Sequence, residues 1–124
     1  MNLLQNGLYL QDLSAIDEVN YLPWEALKGA TLLLSGATGM IGTLLTDAIL
    51  YKDEKEGFDC KVIALGRNAE KAKRRFGYCW DSPFFQFAEC DVNRAETMPS
   101  DIRADYVLHL ASNTHPVAYA TDPI

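Results

Sequence analysis

Three glycines, Gly36, Gly39 and Gly42, are spaced as Gly-x-x-Gly-x-x-Gly at a point where the hydrophobic pattern of the chain changes. Residues 31–35 form a short apolar run typical of a buried parallel strand, and after Gly39 apolar residues recur at helical spacing. A strand that turns sharply into a helix directs the first helical N–H groups, and the positive end of the helix dipole, towards the turn. Such a turn can bind a pyrophosphate, because glycine lets a phosphate approach the backbone closely.

The glycine pattern has two other interpretations besides binding of the pyrophosphate of a dinucleotide. A P-loop requires a lysine directly after the last glycine, whereas Thr43 follows Gly42. The glycines could also serve only a tight corner between the strand and the helix. Because the pattern has a predicted strand before it and a predicted helix after it, we favour dinucleotide binding.

The remaining chain alternates predicted strands with predicted helices. Further strands are predicted at 61–65, 84–90 and 104–111, a helix at 69–76, and two short helices at 9–20 and 23–27. Asn68 is a typical N-cap for the helix that follows it. This order predicts an α/β fold with a Rossmann-type doubly wound parallel sheet and helices on both faces. His109, inside the last strand, is predicted to be a hydrogen-bonded core histidine.

Ligands of such sheets bind beyond the carboxyl ends of the strands. Each predicted strand of this chain is followed there by residues that could contact a ligand. They are the glycine loop after the first strand, Gly66, Arg67 and Asn68 after the second, Asp91 and Val92 after the third, and Ala111 and Ser112 after the fourth.

The loop sequence SGATGMIG resembles the cofactor loop of the short-chain dehydrogenase/reductase superfamily. More narrowly, it is similar to the extended branch, the NAD-dependent epimerase/dehydratase family that acts on nucleotide sugars. ALGRN at 64–68, CDV at 90–92 and LHLASNTHP at 108–116 agree with that family in order and spacing. The resemblance implies an N-terminal helical lead-in at 1–29 and an NAD(P)-binding domain at 30–124.

The resemblance also implies which residues bind the dinucleotide. They are Gly36, Thr38, Gly39, Met40, Ile41, Gly42, Arg67, Asn68, Asp91, Val92, Leu110, Ala111 and Ser112. Asp91 would bond the adenine amino group, with Val92 beside it. The alternative is that Asp91 only caps the next turn.

The end of the second strand bears on the choice between NAD and NADP. Many relatives that use NAD have an acidic residue there, whereas this chain has Gly66 and Arg67. An arginine attracts a 2′-phosphate and can stack on adenine, so NADP is slightly favoured. The alternative is that Arg67 is an ordinary exposed arginine. His115 lies in the loop after the fourth strand. A histidine in a loop more often has no functional role, so a direct contact of His115 with the ligand is the less favoured interpretation.

Catalysis in the superfamily depends on a Tyr-x-x-x-Lys pair on a later helix, in which the tyrosine is the acid and base. The string from Tyr51 to Lys55 lies at the far end of the first long helix, about 15 Å from the glycine loop, and is interpreted as chance. No catalytic residue is therefore assigned.

The sequence is interpreted as the N-terminal part of a nucleotide-sugar epimerase or dehydratase, and this part is expected to be inactive alone. The alternative is a non-catalytic nucleotide-sensing or partner-binding Rossmann module.

Composition limits the remaining classes of function. The chain has 124 residues and a formal net charge of −6, which argues against nucleic acid or an anionic membrane as the main partner. The basic run at 71–75 is interpreted as a solvated helix face. Its three cysteines lack metal-ligand spacing and are interpreted as reduced thiols of a cytoplasmic protein. A homodimer is possible by resemblance, because the helix expected after Pro116 often joins a subunit interface in relatives.

Overall fold

The computed structural model describes residues 6–20 and 22–111. These residues form three α-helices and four β-strands. In chain order they are α1 (Gly7–Asp17), β1 (Thr31–Ser35), α2 (Met40–Glu56), β2 (Lys61–Gly66), α3 (Ala69–Phe76), β3 (Phe85–Glu89) and β4 (Tyr106–His109). Short 3₁₀ helices lie at Trp24–Leu27, Gly77–Cys79 and Ala95–Thr97. None of the described helices is both long and apolar enough to cross a membrane.

The four strands form one parallel sheet in the order β3-β2-β1-β4. The chain builds outward from β1 through β2 to β3 and then returns to the other side of β1. Leu33 is thus paired with Ile63 on one side and with Val107 on the other. This confirms the predicted α/β class with a doubly wound parallel sheet, and it places the topological switch point between β1 and β4.

Alternate side chains of the strands build the core on the face covered by α2 and α3. Leu34 and Ala64 are fully buried there against Ala72 and Phe76 of α3. The ring of Phe76 lies 5.1 Å from that of Phe85, centroid to centroid. Ala72 and Phe76, the buried residues of α3, thus form the side of that helix that packs on the sheet.

The opposite face of the sheet is covered by the connection between β3 and β4. Ile63 and Leu65 are buried on this face, and Ile102 of the connection packs against them. All four residues of β4 are exposed within the described structure. His109 is hydrogen-bonded, as predicted. The prediction that it is a core residue is wrong, because β4 is an edge strand among the described strands and His109 is exposed.

The N-terminal helix α1 is attached to α2 and α3 by a buried carboxylate. Asp47 of α2 accepts hydrogen bonds from the Tyr9 hydroxyl of α1, from Arg75 of α3 and from the Tyr78 hydroxyl. Burial, reinforced by the carboxylate, raises the pKa of Tyr9 to about 12 and that of Tyr78 well above its usual range. Both hydroxyls therefore remain protonated donors. Leu13, fully buried, adds an apolar contact to the same attachment.

A second carboxylate, that of Asp53, lies where α2 ends and β2 begins. Gly57 ends α2 in the left-handed conformation, and the N–H of Cys60 donates to Asp53 Oδ1 at 2.9 Å. The other carboxylate oxygen is buried without a partner among the described atoms. Burial of the carboxyl raises the pKa of Asp53 to about 6, the Cys60 N–H opposes this, and nearby Asp59 reinforces it.

This raised pKa predicts a pH-dependent stability. The folded state holds the Asp53 proton more tightly than the unfolded chain, whose aspartates titrate near a pKa of about 3.9. The contribution of Asp53 to stability is thus complete below pH ~4 and is lost as the pH rises through about 6. Asp53→Asn keeps the acceptor for Cys60 without a charge. Urea unfolding should show wild type losing stability relative to Asp53→Asn between these pH values, and a constant difference would contradict the prediction.

Candidate functional site

The glycine loop turns β1 directly into α2. Gly36 has a φ of 69°, the Gly39 N–H donates to the Gly36 carbonyl at 3.1 Å, and Gly39 is the N-cap of α2. A glycine has no side chain to cap the helix, so the first N–H groups of α2 have no side-chain partner at the N-cap. Met40 and Ile41, which carry two of these groups, are 86% and 58% exposed. The start of α2 therefore lies at an open surface.

The three glycines have different roles. A Cβ on Gly36 would lie 2.6 Å from the Ala111 nitrogen, and one on Gly42 would lie 2.4 Å from the Gly36 carbonyl oxygen. Side chains at these two positions would collide with backbone, so the fold itself requires glycine there. A Cβ on Gly39 would meet only the Gly36 carbonyl oxygen within 4 Å, at 3.3 Å. Gly39 thus leaves space that a side chain would fill, as expected where a phosphate approaches the backbone.

A cavity of about 610 Å³ opens beside this loop, at the carboxyl ends of the strands. Its volume is in the range of small-molecule sites. The structure brings most of the predicted cofactor-binding residues together around it: Gly36, Thr38, Gly39, Met40, Ile41, Gly42, Arg67, Asp91, Val92, Leu110 and Ala111. The sequence pattern thus predicted a set of residues that share one cavity.

Two predicted residues are not among those that line the cavity. The Asn68 side chain caps α3 by accepting the N–H of Lys71 at 3.0 Å. Ser112 lies outside the described residues, as does His115. Contact between Asn68 or Ser112 and a cofactor remains a prediction.

Lys71 lines the cavity although the sequence placed it in a solvated basic run. Lys71 is exposed, as that interpretation requires, but it also lies at the cavity. Arg75 does not belong to a solvated face, because it is held in a largely buried ion pair. Leu65, Gly66 and Cys90 complete the lining. The signal for Lys71 was its position in the first turn of α3, directly after a strand end.

Asp91 caps the turn after β3 and also lines the cavity, and its predicted contact with adenine remains a prediction. Its Oδ1 accepts the N–H of Asn93 at 3.0 Å, which caps the turn after β3, and its own N–H donates to Thr97 Oγ1 at 2.9 Å. These bonds hold Asp91 in place among the residues that line the cavity. The carboxylate is therefore positioned before any ligand arrives.

Ser35 joins the ends of β1 and β4 below the glycine loop. Its Oγ accepts the N–H groups of Leu110 and Ala111 at 3.1 and 3.3 Å and lies 2.7 Å from His109 Nδ1. Ser35 thus fixes the end of β4 and links it to the His109 ring.

Neither Tyr51 nor Lys55 lines the cavity. The Lys55 Nζ lies 5.4 Å from the Tyr51 ring centroid, in the C-terminal part of α2. Within residues 6–20 and 22–111, no group of three or more histidine, cysteine, aspartate or glutamate side chains could hold a metal ion.

A parallel, doubly wound sheet with a glycine loop at its switch point defines a Rossmann-type nucleotide-binding domain. The family model described as NAD dependent epimerase/dehydratase family matches residues 32–124, and the chain belongs to this family. Comparison with curated proteins and with solved structures finds no significant match. Membership implies an NAD(P) cofactor, and the open Gly39 surface and the cavity fit such a group.

Proposed function

We propose that this chain forms the NAD(P)-binding part of a nucleotide-sugar epimerase or dehydratase. The observation that carries the proposal is the cavity between the glycine loop and the ends of β2 and β3, with Gly39 open towards it. A bound NAD(P), held by the glycine loop, Arg67 and Asp91, would supply the hydride acceptor for oxidation of a sugar carbon, and the hydride would usually return to the sugar. The chemistry at the new carbonyl would give the epimerised or dehydrated product.

The residues of the chain supply binding and orientation. The N–H groups at the start of α2 would bind the pyrophosphate, because the helix dipole favours negative charge there. Arg67 and Asp91, at the ends of the neighbouring strands, would hold the adenosine part. The bonds that already fix Asp91 reduce the entropy lost when a ligand is bound.

No proton-transfer step is assigned to a described residue. Among residues 6–20 and 22–111, no tyrosine lines the cavity, so a general acid or base would come from elsewhere in the intact protein. A Tyr-x-x-x-Lys pair encoded after Ile124 would support the enzyme, and a stop codon would favour a nucleotide-sensing module.

A cytoplasmic location and a homodimer remain part of the proposal. Three buried free cysteines support the former, and family resemblance alone supports the latter.

Isothermal titration of the chain with NAD⁺ and NADP⁺ tests the binding proposal. Measurable binding of either dinucleotide supports it, and binding of neither would contradict it. The substrate class is tested on the intact protein with a panel of nucleotide sugars, by following conversion of the sugar itself by NMR, because a returned hydride leaves no net NAD(P)H. Turnover with any member of the panel would support the enzymatic function.

Arg67 carries the preference for NADP within this proposal. Arg67→Asp replaces an attractive charge by a repulsive one next to a 2′-phosphate, so the affinity for NADP⁺ should fall by about a hundredfold, from loss and reversal of charge-assisted bonds. The affinity for NAD⁺ should fall much less. Parallel titrations check this, and equal weakening of both dinucleotides would remove Arg67 as a 2′-phosphate contact.

A further inference from the structure

The first turn of α3 brings a second positive charge to the cavity. Lys71 and Arg67 both line the cavity, and Asp91 is the acidic residue among those that line it. Asn68, between the two cations in sequence, uses its side-chain oxygen to cap α3. The cavity wall near the end of β2 is therefore basic, although the chain as a whole carries a net charge of −6.

The buried Asp47 explains why Lys71 faces this cavity. Arg75 of α3 is paired with Asp47 of α2, and their side chains are only 16% and 0% exposed. The face of α3 that carries Arg75 is thereby fixed against α2. Lys71 lies four residues earlier, on the same face and about 6 Å nearer the start of the helix. This places it at the end of α3 where α2 begins, beside the glycine loop.

We propose that Lys71 is a second specificity-determining residue for the 2′-phosphate of NADP, acting together with Arg67. This inference rests on the proposed dinucleotide function. Lysine binds phosphate as a point charge, whereas arginine binds it through a planar fork, so the two side chains can contact one phosphate from different directions. The Arg75–Asp47 pair positions Lys71 and does not itself contact the ligand.

Lys73 provides a matched control. It belongs to the same helix and is also exposed, but it does not line the cavity. Lys71→Ala and Lys73→Ala change the net charge equally. At an ionic strength near 0.15 M the screening length is about 8 Å, so a general charge effect is suppressed and a direct contact is not.

The experiment is a set of titrations of NADP⁺ and NAD⁺ into wild type, Lys71→Ala, Lys71→Arg and Lys73→Ala. We expect Lys71→Ala to weaken NADP⁺ binding about tenfold, as for loss of one bond to a charged group, with NAD⁺ affinity nearly unchanged. Lys71→Arg should retain most of the preference, and Lys73→Ala should bind as wild type does. Melting temperatures of both alanine variants equal to that of wild type would show that neither substitution affects the fold.

Different failures have different meanings. Equal weakening of NAD⁺ and NADP⁺ by Lys71→Ala, or an equal effect of Lys73→Ala, would overturn the role of Lys71 while leaving dinucleotide binding intact. A wild type that binds NAD⁺ but not NADP⁺ would do the same. Absence of binding by either dinucleotide would overturn the inference and the proposed function together.

Discussion

Asp47→Ala should lower the free energy of unfolding by about 3–5 kcal/mol, the cost typical of removing one partner from a buried ion pair. The variant would leave Arg75 without its carboxylate and would remove the acceptor of the Tyr9 and Tyr78 hydroxyls. A typical domain has only about 5–15 kcal/mol of stability in total, so this loss is a large share of it and the variant should unfold at a much lower urea concentration. Urea unfolding followed by circular dichroism measures the loss.

Asp81→Ala is the control for this variant. Asp81 is exposed, and surface substitutions usually change stability by no more than about 0.5 kcal/mol. If Asp47→Ala were as stable as Asp81→Ala, the buried cluster would not hold α1, α2 and α3 together as described.

Gly39→Val should abolish most dinucleotide binding while leaving the fold intact. Gly39 has φ −74° and ψ 175°, a conformation that valine adopts readily, and a Cβ there would meet the Gly36 carbonyl oxygen at 3.3 Å, which a small shift of that oxygen would relieve. The new methyl groups would occupy the space needed by the pyrophosphate. Loss of two charge-assisted bonds from the helix N–H groups would cost about 3 kcal/mol or more, at least about a hundredfold in affinity.

Gly77→Val separates this steric effect from the general effect of adding valine. Gly77 has open space around it, has ordinary helical backbone angles and does not line the cavity. Both variants should keep the circular dichroism spectrum of wild type, but only Gly39→Val should lose binding in the titration. Unchanged affinity in Gly39→Val would refute the assignment of the glycine loop to the pyrophosphate.

Local signals explain which elements could be predicted from the sequence. The apolar run at β1 and the cap at Asn68 depend on neighbouring residues, and both elements have the predicted bounds. β4 is shorter than predicted, Tyr106–His109, because an apolar run does not show where pairing with another strand stops. The grouping of the residues that follow the strands was predictable because the carboxyl ends of parallel strands lie at the same edge of the sheet.

The roles of Arg75 and Asp47 could not be predicted in the same way. The two residues are 28 positions apart, and each occurs in a helix where a charged residue usually faces solvent. Helical periodicity gives no information about which charge on one helix will meet a charge on another. Lys71 was missed because a run of basic residues on a helix usually faces solvent, although its position in the first turn of α3 indicated that it lies near a strand end.

The buried carboxylate also constrains the order in which the chain can acquire its structure during synthesis. Tyr9 leaves the ribosome early, but its acceptor Asp47 comes 38 residues later and Arg75 comes 66 residues later. A helix of 11 residues such as α1 is marginal by itself in water. Stable docking of α1 therefore waits until α3 has been made, so the first helix of the sequence is among the last to be secured.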